Sequence, residues 1–287
     1  MNNSDGGVGL NMLSRMLKFQ LLYPKLVRER MNLRDYGSAL KHRRYNFHWV
    51  RSGHVRFVSE LTEVSECRIT QYLTDLHDED WFFAELDQKY QRFMGQSLSP
   101  HFFKHSESSG SVFFPAVTMY LLVRAAQPQI VVETGGGAGK STAFILLALR
   151  HNGGGRLITL DLPPDHAVEA EQSMTWWTEN MRSCFLVPDM LREYHELRLG
   201  DAKRTLPESI REVTEIDMFR HDSDHSYEHM MFEFETIWPV LRVGGILMSD
   251  DVHANNAWAD FCSRHQLSPV KSTRYFAGAT KSGVIKA

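Results

Sequence analysis

Val131-Val-Glu-Thr-Gly-Gly-Gly-Ala-Gly-Lys-Ser-Thr142 is a β-branched run that turns through glycines and passes directly into the apolar stretch Ala143 to Leu149. Valine pairs favour the extended pleat, and Gly135, Gly137 and Gly139 permit backbone conformations closed to other residues. A strand, a glycine turn and a helix in that order bring backbone close to a ligand at the carboxyl end of the strand. Two ligands are weakened by register. A phosphate-cradling loop needs four residues between its first glycine and Gly139-Lys-Ser, which would place that glycine at Thr134, one residue before Gly135. A dinucleotide turn needs a third glycine where Lys140 stands, so only Gly135 and Gly137 fit it. The remaining non-ligand reading is a structural strand-to-helix turn.

Outward from this turn, short aliphatic runs alternate with helical patterns, the signature of a parallel sheet covered by helices. The runs predict strands at Gln129 to Glu133, Arg156 to Asp161, Tyr194 to Leu199, Ile216 to Asp222 and Gly245 to Asp250, with two more at Pro269 to Tyr275 and Ser282 to Lys286, the last antiparallel. From Leu10 to Met94 the apolar residues recur at helical spacing, most clearly in Asp78 to Met94. The expectation is an α/β chain: residues 1–105 a mainly helical extension, frayed at Asn2 to Gly9, and residues 106–287 the sheet domain, opening at the Ser/Gly cluster Ser106 to Ser111. Lys25 to Arg56 is basic and Glu60 to Asp87 acidic, which suits solvated or mutually paired faces.

An acid closing the first strand, Glu133, followed by alternate glycines resembles the first motif of class I S-adenosylmethionine-dependent methyltransferases. The resemblance implies a Rossmann-like, seven-stranded, mostly parallel sheet with helices on both faces. It also implies a cofactor held by Glu133, Thr134, Gly135, Gly137, Gly139, Ser141 and Thr142. Asp161, ending the second strand, would accept from the ribose hydroxyls, and Leu199-Gly-Asp-Ala202 would place Asp201 and Ala202 at the adenine. Each acid taken alone is equally suited to capping a helix.

Asp222 ends the fourth strand with His225 three residues on, and the fifth ends in the adjacent acids Asp250 and Asp251. Adjacent acids repel unless a positive group lies between them, and hard carboxylate oxygens suit Mg²⁺ or a similar ion. The plainer alternative has Asp251 capping a helix and Asp250 in solvent. The segment from Asp222 to Val252 resembles metal-dependent small-molecule O-methyltransferases, of the catechol, caffeoyl-CoA and macrolide-sugar types. That resemblance implies a cation on Asp222, Asp250 and Asp251. It also implies His225 as general base, with Asp222 beside it in the catalytic set, and a hydroxylated small-molecule acceptor such as a sugar or secondary metabolite. Asp224 orients His225 or serves as reserve ligand, while Asn255 and Asn256 are placed to touch the acceptor. The pattern departs from the family at Arg220 and His221, where aliphatic residues are expected.

A net charge of −3 gives no reason to expect nucleic acid, and the apolar runs are too short to span a membrane. Cys67, Cys184 and Cys262 are too few and too scattered for a disulfide framework. The expectation is a cytoplasmic enzyme whose helical extension forms a lid, a substrate wall or a homodimer contact. A catalytically inactive cofactor-binding partner or sensor, and an NAD-dependent oxidoreductase, are the alternatives.

Overall fold

A computed structural model describes residues 47–94, 114–163, 182–271 and 275–283, with the side chains of 47–53, 77, 93–94 and 114–115 left aside. The expected frayed start, most of the basic stretch, the Ser106 to Ser111 boundary and the end of the Ser282 to Lys286 strand lie outside these residues.

Among the described residues four helices precede the sheet: α1 (Phe47–Thr62), α2 (Glu66–His77), α3 (Asp80–Met94) and α4 (Phe114–Ala126). Ser65 caps α2 by accepting from the Arg68 amide, and α3 matches the amphipathic stretch seen in the sequence. The sheet domain then runs β1 (Ile130–Thr134), α5 (Lys140–His151), β2 (Arg156–Asp161), β3 (His195–Leu199), α6 (Ala202–Arg211), β4 (Ile216–His221), α7 (Tyr227–Ile237), β5 (Leu241–Ser249), α8 (Ala257–Arg264), β6 (Val270–Lys271) and β7 (Ala277–Thr280). The seven strands lie in the order β3-β2-β1-β4-β5-β7-β6, and β7 alone is antiparallel to its neighbours. This is the expected Rossmann-like sheet. The chain leaves β1 toward β2 and β3, then returns to its other side at β4, so the crevice over β1 and β4 is the topological switch point.

Alternation along the central strands builds two cores. Val131, Leu157, Met218 and Met248 face α1 to α5, whereas Val132, Ile158, Phe219 and Leu247 face α6 to α8. Residues 141–149 of α5 are buried without a break, because α5 lies between the sheet and the preceding helices. Phe82 of α3 meets Phe144 of α5 edge to face, with centroids 5.0 Å apart. The preceding helices therefore share one hydrophobic core with the sheet.

Among the described residues the last strand is Ala277–Thr280, ahead of the expected Ser282 to Lys286. Its residues are small for a physical reason: a Cβ on Gly278 would come within 2.8 Å of Leu61 and 3.4 Å of Phe57, both on α1. Close helix-to-strand packing removes the bulky residues that would have announced a strand. No helix among the described residues is long and apolar enough to cross a membrane. The three cysteines are free thiols, Cys67 exposed and the other two buried.

Candidate active site

The parallel strands finish on one rim, and backbone bonds beyond the strands lace it together. Gly200 N donates to Asp161 O (2.9 Å), Gly135 N to Leu160 O (2.8 Å), Asp222 N to Thr134 O (3.1 Å) and Asp250 N to His221 O (3.0 Å). The glycine turn, Asp161, Asp222 and Asp250 thus stand along a single edge of the sheet.

At the switch point the two strand ends meet through a glycine. Gly135 has φ +78°, and a Cβ there would lie 1.9 Å from the Asp222 carbonyl oxygen. The turn opens two residues later: Gly137, at φ +49°, would direct a Cβ into a space with nothing within 4 Å. Its amide donates to Asp161 Oδ2 (3.0 Å), while Leu162 N donates to Oδ1 (3.0 Å). Burial pushes the Asp161 carboxyl up to about 6 against these hydrogen bonds. An open glycine turn beside a carboxylate fits the methionine and ribose portions of S-adenosylmethionine. Gly139, the N-cap of α5, is closed off by Cys184.

Several residues expected at the cofactor are engaged elsewhere. Glu133 is fully buried: its Oε1 accepts from Ser141 Oγ (2.5 Å) and Arg220 Nη1 (2.9 Å), and its Oε2 from Thr142 Oγ1 (2.7 Å) and Thr159 Oγ1 (3.2 Å). The hydroxyls of Ser141 and Thr142 therefore turn inward. Thr134 donates to Glu233 Oε2 (2.6 Å) on the opposite face. Asp201 is exposed and caps α6 through the Lys203 amide (2.8 Å), with Ala202 opening that helix.

Arg220 decides the acidic cluster. It neighbours Glu133 in the β1–β4 register, so both side chains point to one face of the sheet. The guanidinium, 2% exposed, donates from Nη1 to Glu133 and Ser141, and from Nη2 to Asp222 Oδ2 (2.6 Å) and Asp250 Oδ2 (3.3 Å). Burial alone would lower its pKa, but Asp222, Glu133 and Asp250 together raise it. Burial and then Asp222 push the Asp250 carboxyl up to about 7, with Arg220 opposing.

The expected metal set is corrected here. Among the described residues no three His, Cys, Asp or Glu donors converge as a metal ion requires. Asp222 and Asp250 each direct one oxygen, Oδ2, at Arg220, while Asp222 Oδ1 faces His225 and Asp250 Oδ1 accepts from Asp251 N (3.1 Å); Asp251 faces two histidines, with His225 Nδ1 at 3.4 Å and His253 Nδ1 at 3.6 Å. The positive group facing Asp222 and Asp250 is the Arg220 guanidinium, and the residues do not fit Mg²⁺.

His225 stands between two carboxylates. Its Nε2 is buried, without a hydrogen-bond partner, 3.7 Å from Asp222 Oδ1, while Nδ1 faces Asp251. The ring is 28% exposed, and burial lowers its pKa although Asp222 and Asp251 pull it upward. Asn255 fixes this loop, its amide donating to the His225 carbonyl (2.8 Å) and its oxygen accepting from Ala257 N (2.8 Å). Asp224 caps the turn into α7 through Ser226 N (2.8 Å), and Asn256 is exposed.

Two features were not read from the sequence. Lys140 opens α5 beside the turn, where burial lowers its amine to about 8 against the pull of Asp222. His221, on the other face from Arg220, contacts Glu233 Oε2 (2.6 Å) through Nδ1, and Glu233 also receives His229, Ser223 and Thr134. An acid set between two aromatic residues, Phe232-Glu-Phe234, is the sequence signal for that buried network.

The family model described as "Methyltransferase domain" matches residues 132–252. No curated protein matches the chain. Among solved structures it is similar to the O-methyltransferase from Bacillus cereus in complex with SAH, at 18% identity over 74% of this chain and 96% of that one, with a TM-score of 0.49. It is also similar to the O-methyltransferase TomG from Streptomyces achromogenes, involved in tomaymycin synthesis and solved with SAM, at 18% identity over 72% and 92%, with a TM-score of 0.48. The fold assignment rests on the strand order itself. From the glycine turn to the acidic pair, residues 132–252 match a methyltransferase domain, and they supply strands β1 to β5 of the seven-stranded Rossmann-like sheet.

Proposed function

We propose that the chain transfers a methyl group from S-adenosylmethionine to a hydroxyl of a small molecule, a sugar or secondary metabolite, with His225 as general base. The observation carrying this reading is the placement of His225 on the rim between Asp222 and Asp251, with burial keeping the ring unprotonated at neutral pH. A hydroxyl is a poor nucleophile until its proton has somewhere to go. With Nε2 buried beside Asp222, the reading assigns proton transfer to Nδ1, the nitrogen on the Asp251 side of the ring. As Nδ1 takes the proton, the flanking carboxylates stabilise the imidazolium, by the same attraction that pulls its pKa upward.

When bound, S-adenosylmethionine supplies a methyl on a sulfonium that needs no further activation. The chain's own work is placement: the Gly137 side of the turn admits the cofactor, and the tied strand ends hold it against His225. For His225→Gln, kcat with hydroxylated acceptors is expected to fall roughly 10² to 10⁴-fold, with SAH affinity retained in calorimetry. An unchanged kcat would remove His225 as base. Failure of the wild-type chain to bind SAH would remove the proposed activity altogether.

A further inference from the structure

We propose that Arg220 is the permanent cation of this site, standing where a divalent ion would have joined Asp222 to Asp250, and that it positions the base through Asp222 without metal. The positioning half rests on the methyl-transfer reading above; the exclusion of metal does not.

Three carboxylates, Glu133, Asp222 and Asp250, point at one guanidinium, whose two terminal nitrogens make four hydrogen bonds to these acids and Ser141. A magnesium ion needs oxygens at about 2.0–2.1 Å and a calcium ion at about 2.3–2.6 Å. Either ion between Asp222 Oδ2 and Asp250 Oδ2 would have to displace Nη2, which already lies 2.6 Å and 3.3 Å from them. Displacement would drive a cation against a buried, always charged side chain. The planar fork also does what a point charge does not, holding Glu133 on one nitrogen and the rim acids on the other.

The two oxygens of Asp222 then divide their work. Oδ2 is anchored by Arg220, and Oδ1 faces His225 Nε2 at 3.7 Å. A chain of contacts runs from Glu133 through Arg220 and Asp222 to the imidazole. Its last contact is electrostatic and orients the ring from the interior of the sheet, and a chelator cannot dismantle it.

The test is Mn²⁺ binding to the full-length chain, read by electron paramagnetic resonance with and without SAH, beside methyl transfer in EDTA and in Mg²⁺. The wild-type chain is expected to leave the free Mn²⁺ signal undiminished and to turn over equally in both media. Arg220→Met, which leaves the acids without a counter-charge, is expected to bind Mn²⁺ and to recover turnover with Mg²⁺. Arg220→Lys keeps charge but loses the fork. Its kcat is expected to fall roughly 10²-fold, the effect of a small misplacement of a catalytic group, with acceptor KM and SAH affinity unchanged. Stoichiometric Mn²⁺ on the wild-type chain that Asp250→Asn abolishes would overturn the proposal, as would activity lost in EDTA and restored by Mg²⁺. If Arg220→Met does not fold, the wild-type resonance decides alone. Absence of methyl transfer in every medium, with Mn²⁺ still unbound, would reject the activity and leave Arg220 as the site's cation.

Discussion

Glu133→Gln isolates the charge in the buried half of the Arg220 network. The replacement keeps the size of the side chain, and its oxygen can still accept from Ser141 and Arg220. Its amide would then face Thr142 and Thr159, whose hydroxyls can rotate to accept. What disappears is the negative charge 2.9 Å from Arg220 Nη1, at a position with no exposure. Removing one partner of a buried ion pair costs roughly 3–5 kcal/mol. The lower end applies here, about 3 kcal/mol, because Asp222 and Asp250 still face the guanidinium. At roughly 2–4 °C per kcal/mol for a chain of this size, the melting temperature should fall by about 6–12 °C. Calorimetric melting of wild type and variant at neutral pH checks this. A shift below about 2 °C would mean the pair carries little net stability, and that Arg220 is held by the rim acids alone.

Other consequences are open to measurement. At Gly137 a methyl group meets nothing in the protein but would enter the space assigned to the cofactor. Gly137→Ala should therefore cost only about 1–2 kcal/mol of stability, from its left-handed backbone, yet weaken SAH binding at least about tenfold. Equal SAH affinity would move the cofactor off this turn. For pH, burial lowers His54, bonded to Thr118 in the helical core, to about 3. A folded pKa below the unfolded one gives stability that is complete above about 6.5 and drains away as pH falls toward 3. Between pH 6.5 and 4.5 this group alone removes about 2–3 kcal/mol. The raised carboxyls of Asp161 and Asp250 act with opposite sign, so the comparison is between wild type and His54→Phe. Identical pH slopes for the two would contradict the assignment.

Elements made of residues that announce them were legible before any coordinates. Arg156 to Asp161 is a strand in sequence and structure alike, because Leu157-Ile-Thr-Leu160 is apolar and stops at an acid. The strand at Ala277–Thr280 was not, because its small residues answer to α1, more than 200 positions earlier. The rim acids were legible in order and place, since parallel strands must deliver their ends together. Their partners were not. Arg220 was conspicuous as a charge in an apolar strand, but only the pairing of β4 with β1 sets it against Glu133. Without that register Glu133 reads as a ligand of the cofactor and the aspartates as ligands of a metal. With it, one side chain satisfies all three acids.

The contact between α1 and β7 closes the chain on itself. Thr280 Oγ1 donates to the Leu61 carbonyl (3.1 Å), Gly278 lies against Leu61 and Phe57, and β7 in turn shields the outer edge of β5. A protein trimmed to residues 132–252 would keep the catalytic rim but lose both ends of that clasp. Met248 and Ile246 would be uncovered, and the bare edge of β5 would be free to pair with another copy. Such a fragment should aggregate before it binds anything, so excising the catalytic stretch for transplantation requires carrying α1 and β7 along with it.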